Sequence, residues 1–278
     1  MRENLKFALC QISVSSNKIE NLSHAREIVD KASQRGARLI VLPEIFNAPY
    51  SPQGMAENAE IFPGPSTELL SELACHNKVI LVGGSIPEKD TDGKIYNTSY
   101  IFGQQGELIG KHRKIHLFDI DLPDQISFKE SQVLSAGESL QIIRHQDFVF
   151  AVIICYDIRF PELARLAALE GAKLLIVPAA FNTTTGPAHW DLLMRSRAVD
   201  NQLFVMACSP ARNTEASYHA WGHSLVVDPW GKVISEGGIG EEIVEGELDF
   251  SIVDKVRREL PVLQHRRTDI YELNYLKK

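Results

Sequence analysis

The sequence predicts an α/β fold in which mixed sheets are covered by helices. Three observations carry that expectation. Short apolar runs bounded by Gly and Pro alternate with stretches of helical periodicity, the pattern of strand–helix units. Hairpin-like pairs interrupt the alternation, which argues against a purely parallel barrel. The 278 residues, 44% hydrophobic and 23% charged, suffice to bury a sizeable core.

Taken in order, the first strand is expected at Phe7–Val14. Lys18–Gln34 follows as a helix, with Ile19, Leu22, Ala25, Ile28, Val29 and Ala32 at helical spacing and Gly36 ending it. Ala37–Leu42 is a second strand, closed by Pro43 and Glu44. A helix over Thr67–His76 and a strand over Lys78–Ser85 come next. Tyr96–Phe102, a Gln104-Gln105-Gly106 turn and Glu107–Lys111 read as a hairpin. Gln141–Cys155 holds two strands, the second an apolar run at Phe148–Ile154. Pro161 suits the first turn of a helix reaching Gly171. Lys173–Pro178 is a buried strand, Ala188–Asn201 a helix and Leu203–Ser209 a strand. Gly222–Asp249 reads as a meander around Asp228-Pro229-Trp230-Gly231, and Ser251–Leu260 as a last helix. No linker or charge block divides the chain, so one domain over 1–278 is expected.

The net charge of −7 argues against nucleic-acid or anionic-membrane partners, which need clustered Lys and Arg. Cys10, Cys75, Cys155 and Cys208 are widely spaced without a CxxC pair, so reduced thiols are expected. The amino terminus lacks a signal-like apolar run, and no segment nears the ~18 apolar residues of a membrane span. A cytoplasmic location is the resulting expectation.

Three reactive side chains share one local setting. Glu44 ends the run from Arg38 to Pro43, Cys155 ends Val149–Ile154, and Lys114 follows the returning hairpin strand. In α/β sheets, sites assemble beyond strand ends, where a base, a cation and a thiol can converge. Taken singly, each has a structural explanation: a buried small hydrophobe, a solvated cap, one member of a basic loop. His112/His116 and His219/His223 are each four apart, as zinc ligands on a helix would be. Trp221-Gly222 interrupts one pair, the other lies in a strand-to-loop segment, and no third ligand is in register. No metal is expected.

The segments LPE ending at Glu44, HRK ending at Lys114 and ICYDIRFPE around Cys155 resemble the three signatures of the nitrilase (carbon–nitrogen hydrolase) superfamily. Their spacings of 70 and 41 residues resemble it too. The resemblance runs from about Leu5 to Leu273. It implies a four-layer αββα sandwich that dimerises, with no cofactor. By it Cys155 is the nucleophile, Glu44 the general base, Lys114 the oxyanion cation and Glu130 an auxiliary carboxylate, with the Tyr156 N–H as a second oxyanion donor. The family usually has glycine two residues before the nucleophile, where this chain has Ile153, which bears on pocket dimensions.

Two further stretches, Lys114–Ser131 and Phe181–Gln202, are similar to the ω-amidase branch, which hydrolyses the side-chain amide of 2-oxo dicarboxylic acid monoamides. That resemblance implies that Arg159 binds the remote carboxylate, with Thr185, Tyr50 and Phe118 as further pocket positions. The residues alone leave Arg159 open to a salt bridge with Asp157 or Glu162 and Thr185 to a turn-capping role. Deaminated glutathione amidase, N-carbamoylputrescine amidase and a true nitrilase are the alternatives within the superfamily.

Overall fold

The computed structural model describes residues 4–123, 126–145 and 148–276. In chain order the first elements are β1 (Leu5–Gln11), α1 (Lys18–Gln34), β2 (Leu39–Val41), α2 (Pro52–Glu57), α3 (Pro65–Asn77), β3 (Ile80–Val82) and β4 (Ile86–Lys89). They continue through β5 (Ile95–Phe102), β6 (Leu108–Arg113), β7 (Asp119–Leu122), β8 (Ile126–Lys129), β9 (Gln141–His145) and β10 (Phe148–Val152). The rest are α4 (Pro161–Leu169), β11 (Leu174–Pro178), α5 (Gly186–Asn201), β12 (Phe204–Cys208), β13 (Leu225–Val227), β14 (Val233–Glu236), β15 (Glu242–Leu248) and α6 (Ser251–Glu259). Single 3₁₀ turns lie at Glu130–Gln132 and Cys155–Arg159.

Two sheets form. One runs β15-β1-β2-β3-β5-β4 with β6 added on β5, and the other runs β14-β13-β12-β11-β10-β9. β1, β2 and β3 are mutually parallel, as are β10, β11 and β12, and every other pairing is antiparallel. Successive strand residues face opposite ways, and that period builds three cores. Phe7, Leu9, Leu39 and Val41 of the first sheet meet Phe150, Val152, Leu174 and Ile176 of the second between the sheets. Ala8, Cys10, Ile40 and Leu42 face outward onto α1 and α3 residues such as Ala25, Val29, Leu70 and Leu73. Ala151, Ile153, Leu175 and Val177 face α4 and α5 through Ala164, Ala167, Trp190 and Met194. Burying each large aliphatic side chain contributes about 1.5–3 kcal/mol. The order is helices, sheet, sheet, helices: an αββα sandwich.

Local chemistry fixes the helix ends. The Asn17 side chain caps α1 by accepting from the N–H groups of Ile19 and Glu20. Pro65 opens α3, and Lys78 ends it in the left-handed region. The buried stripe of α1 is Asn21, Ala25, Val29 and Ala32, while Ile19, expected on it, is 79% exposed. It sits one residue after the N-terminal boundary, before the stripe turns inward.

Two expectations need correction, and one element was not expected. Gly222–Asp249 is not a meander: β13 and β14 pair within one sheet, but β15 crosses to pair with β1 of the other. Alternation specifies a strand's faces and not its partner, so the crossing is invisible to it. The segment between Lys114 and Glu130, for which the sequence predicts no element, contains a two-stranded hairpin, β7–β8. The strand expected at Phe148–Ile154 leaves the ladder at Val152, where the chain turns into the 3₁₀ segment carrying Cys155. Among the described residues no helix is long and apolar enough to cross a membrane, and all four cysteines are free.

Candidate active site

The parallel strands bring their carboxyl ends to one rim. β6 is antiparallel to β5, which is antiparallel to β3, so β6 also ends there. Glu44 leaves β2 through Leu42-Pro43, Lys114 follows β6, Cys155 follows β10 and Ala180 follows β11. The Glu44 turn is tied to the β3 side: Ser85 N–H donates to the Pro43 carbonyl at 3.2 Å, and Ile45 N–H to Ser85 Oγ at 3.0 Å. Gly84 makes this close approach possible. Its φ is +54°, and a Cβ there would lie 2.0 Å from the Pro43 oxygen.

Lys114 is the hub. Its Nζ lies 2.9 Å from Glu44 Oε1 and 2.9 Å from Glu130 Oε1, and all three side chains are fully buried. Glu44 Oε1 also accepts from Asn97 Nδ2 at 2.8 Å and Tyr50 OH at 3.3 Å, and its Oε2 accepts from Ala180 N–H at 2.8 Å. Glu130 accepts from Tyr50 OH at 2.9 Å and, through Oε2, from Phe118 N–H at 2.7 Å. An ammonium has three N–H donors. The two carboxylates take two, which leaves a third for a ligand.

Cys155 starts its 3₁₀ turn at φ +46°, in the left-handed region that a non-glycine residue enters at about 1–2 kcal/mol. The turn presents Sγ toward Glu44, within reach of a hydrogen bond between them. Burial and then the Glu44 charge push the Cys155 thiol up, against the opposing pull of Lys114. Glu130 adds to the Glu44 effect, so the single Lys114 ammonium opposes burial and two carboxylates. A neighbouring ammonium alone would favour thiolate, and the sequence motif does not show how the paired carboxylates outweigh it. Burial likewise raises Glu44 above the usual carboxylate range, with Lys114 opposing and Glu130 reinforcing. Burial alone would lower Lys114, but Glu130 and Glu44 hold it well above its ordinary value.

Aromatic rings wall the cluster. Tyr50 stacks on Phe128 and tilts against Tyr218, and Phe118 meets Tyr156 edge-on at 5.2 Å. Arg159 forms no salt bridge with Asp157 or Glu162. Its guanidinium lies 4.9 Å from the Phe181 ring and 5.6 Å from that of Tyr156, with Nη1 3.2 Å from His189 Nδ1. Arg159 Nε is buried with no protein acceptor. Asp157 is engaged elsewhere, with His112 and His116. Thr185 donates its hydroxyl to Asn182 Oδ1 at 3.1 Å, as a residue capping its own turn does. A cavity of about 460 Å³ reaches the cluster at Glu44, Tyr50, Ala180 and Tyr218 and opens past Asn213 and Glu215. Ile153 does not line it, since its side chain packs in the core beneath α4 and α5.

Sequence reasoning missed Asn97, Ala180 and Tyr218. Asn97 and the Ala180 N–H are neutral donors in strand and post-strand positions that nothing in the sequence singles out. Tyr218 donates to the Ala180 carbonyl, packs against Tyr50 and Phe128, and lines the cavity beside Glu44.

A thiol, two carboxylates and an ammonium gathered at one rim of an αββα sandwich suit thiol-based acyl transfer. Residues 6–258 match the carbon-nitrogen hydrolase family. The chain is 52% identical to an ω-amidase of Saccharomyces cerevisiae, over 98% of this chain and 96% of that one. It is 51% identical to an ω-amidase of Danio rerio, over 97% of each. A Saccharomyces cerevisiae crystal structure, of a member of branch 10 of the nitrilase superfamily, superposes with a TM-score of 0.89. It is 49% identical and covers 95% of this chain and 97% of that one. The chain belongs to the carbon-nitrogen hydrolase family, and it is a hydrolase of amide carbon–nitrogen bonds.

Proposed function

We propose that the chain is an ω-amidase that hydrolyses 2-oxoglutaramate and 2-oxosuccinamate to the 2-oxo acid and ammonia through a Cys155 thioester. The observation that carries the mechanism is the buried Glu44–Lys114–Glu130 cluster facing Cys155 across the rim. Glu44 accepts the Sγ proton as sulfur bonds to the amide carbon. The oxyanion meets the third Lys114 N–H and the Tyr156 N–H, each such donor contributing ~3–4 kcal/mol. Collapse breaks the C–N bond, and Glu44 passes its proton to the departing nitrogen, which leaves as ammonia. Glu44 then takes a proton from water as the water oxygen attacks the thioester. The C–S bond breaks, the acid departs and the thiol recovers its proton. Glu130 and Tyr50 keep Lys114 and Glu44 in register throughout.

The substrate assignment is supported by the two ω-amidase relatives and by Arg159, whose guanidinium lies over the Phe181 and Tyr156 rings and has no acidic partner among the described residues. A guanidinium fork fits a carboxylate bidentately. By the family resemblance Phe118 would pack on the carbon chain and Thr185 would be a further pocket position. The four free cysteines support a reducing, cytoplasmic setting, and the family resemblance supports a homodimer, which sedimentation measures. The test is ammonia release from 2-oxoglutaramate, 2-oxosuccinamate, deaminated glutathione, carbamoylputrescine and a simple nitrile. The 2-oxo dicarboxylic monoamides are expected to give the highest kcat/KM, and a better substrate elsewhere in the panel overturns the assignment.

A further inference from the structure

His112 and His116 flank Lys114 two residues to either side, and both face one carboxylate. Asp157 is fully buried. Its Oδ1 accepts from the His116 N–H at 2.8 Å and lies 2.8 Å from His116 Nδ1. Its Oδ2 accepts from the Ile154 N–H at 3.1 Å and lies 3.2 Å from His112 Nε2. An ionised carboxylate only accepts, so each imidazole donates the proton on its facing nitrogen. Burial alone would raise the Asp157 carboxyl, but the hydrogen bonds from His112 and His116 bring it well below the usual carboxylate range. The same residue closes the nucleophile turn, its own N–H donating to the Ile154 carbonyl at 3.0 Å. The His116 ring also stacks on Phe160, at the far end of that turn, with centroids 3.6 Å apart.

Two chain segments distant in sequence are thereby joined at one carboxylate. One carries Lys114, and the other carries Cys155 at its left-handed φ. We infer that Asp157, with His112 and His116, is a positioning clip that sets the Cys155 sulfur against the Lys114 ammonium. Two histidines at metal-ligand spacing, one at the end of β6 and one in the bend that follows, thus serve a carboxylate of the nucleophile turn. Contacts to Ile154 on one side of the sulfur and to His116 on one side of the amine leave neither segment free to shift alone. Displacement of reacting groups by about 1 Å costs on the order of 100-fold in rate. The clip touches no substrate, so its loss acts on the chemical step and leaves binding alone.

The inference rests on the Cys155–Lys114 reading above, and the test separates the two. Steady-state kinetics on 2-oxoglutaramate, with thermal unfolding, are compared for wild type, Asp157→Asn, His116→Gln, Lys114→Met and Cys155→Ala. Asp157→Asn is expected to lose about 100-fold in kcat with KM within twofold. His116→Gln, which keeps the main-chain bond to Asp157, is expected to lose about fivefold in kcat, the value of one hydrogen bond, again at constant KM. A folded Asp157→Asn protein with kcat within twofold of wild type overturns the clip, as does a KM that rises as far as kcat falls. If Asp157→Asn does not fold, His116→Gln decides, and an unchanged kcat there overturns the clip. Turnover by Cys155→Ala or Lys114→Met overturns the underlying reading instead.

Discussion

Replacing Glu130 by Gln tests how the cluster's charges divide their work. Glu130 and Glu44 each place an oxygen 2.9 Å from the same Lys114 nitrogen. Those two oxygens therefore lie within about 6 Å, where unit charges repel by about 3 kcal/mol at an effective dielectric of about 20. Glutamine removes that repulsion without changing shape. It also presents an NH₂ to a site built from three donors, Lys114 Nζ, Tyr50 OH and Phe118 N–H. One of them loses its acceptor, at about 1.5–3 kcal/mol for a bond to a charged group, so kcat is expected to fall about 10- to 100-fold. The pH profile moves independently. Burial first, with Glu130 reinforcing and Lys114 opposing, holds Glu44 above the usual carboxylate range. Glu44 acts as a carboxylate, so kcat/KM is lost as pH falls through that raised value. Without Glu130 the acid limb moves to lower pH. The Cys155 thiol is raised by burial, by Glu44 and also by Glu130, so it too comes down and alkylation by iodoacetamide at neutral pH speeds up. The assays are kcat/KM against pH and the alkylation rate of the Cys155 peptide. An acid limb that stays in place or moves to higher pH refutes the reasoning, whatever happens to kcat.

Three further outcomes follow from named contacts. Arg159→Met is expected to raise KM for 2-oxoglutaramate by about 10- to 100-fold, the worth of a charge-assisted bond, while leaving a neutral short amide within about twofold; equal losses on both count against carboxylate binding. Ile153→Ala removes a fully buried side chain beneath α4 and α5 and is expected to cost about 2–5 kcal/mol in urea unfolding with KM unchanged; a changed KM places that side chain in the pocket. Burial pushes the Glu88 carboxyl up, but bonds from Arg113, Lys111 and Thr98 bring it down to about 2. Because the folded value lies below the unfolded one, its stabilisation is complete above about pH 4.3 and is lost as pH falls toward 2. Glu88→Gln should accordingly flatten the acid limb of stability against pH, and an unchanged slope refutes that role.

Much of the site was legible because its chemistry lies at strand ends, and strand ends are marked in sequence. Apolar runs closing at Pro43-Glu44 and at Cys155 announce where side chains leave the sheet, and the flanking signatures supply the roles. The partners of those groups were not legible. Asn97 reaches Glu44 from across β5, and the Ala180 N–H from the other sheet. Neither carries a charge or motif; the Asn97 contact depends on the strand order β2-β3-β5 within one sheet, and the Ala180 contact on how the two sheets face each other. Sequence proximity left Asp157 and Glu162 open as salt-bridge partners of Arg159, yet the Asp157 carboxylate is held by His112 and His116, over forty residues away. The same limit hid the crossing of β15 to β1. A period of two gives the faces of a strand, while its neighbour is set by the packing of the whole sandwich.

The central claim is that acyl transfer passes through Cys155, and partitioning with hydroxylamine tests it most directly. Wild type and Cys155→Ala are given 2-oxoglutaramate with increasing hydroxylamine, and ammonia, acid and hydroxamate are measured together. A thioester on Cys155 predicts hydroxamate formed at the expense of the acid in the wild type, and neither product from Cys155→Ala. Ammonia release by Cys155→Ala at a rate near that of wild type would contradict the account.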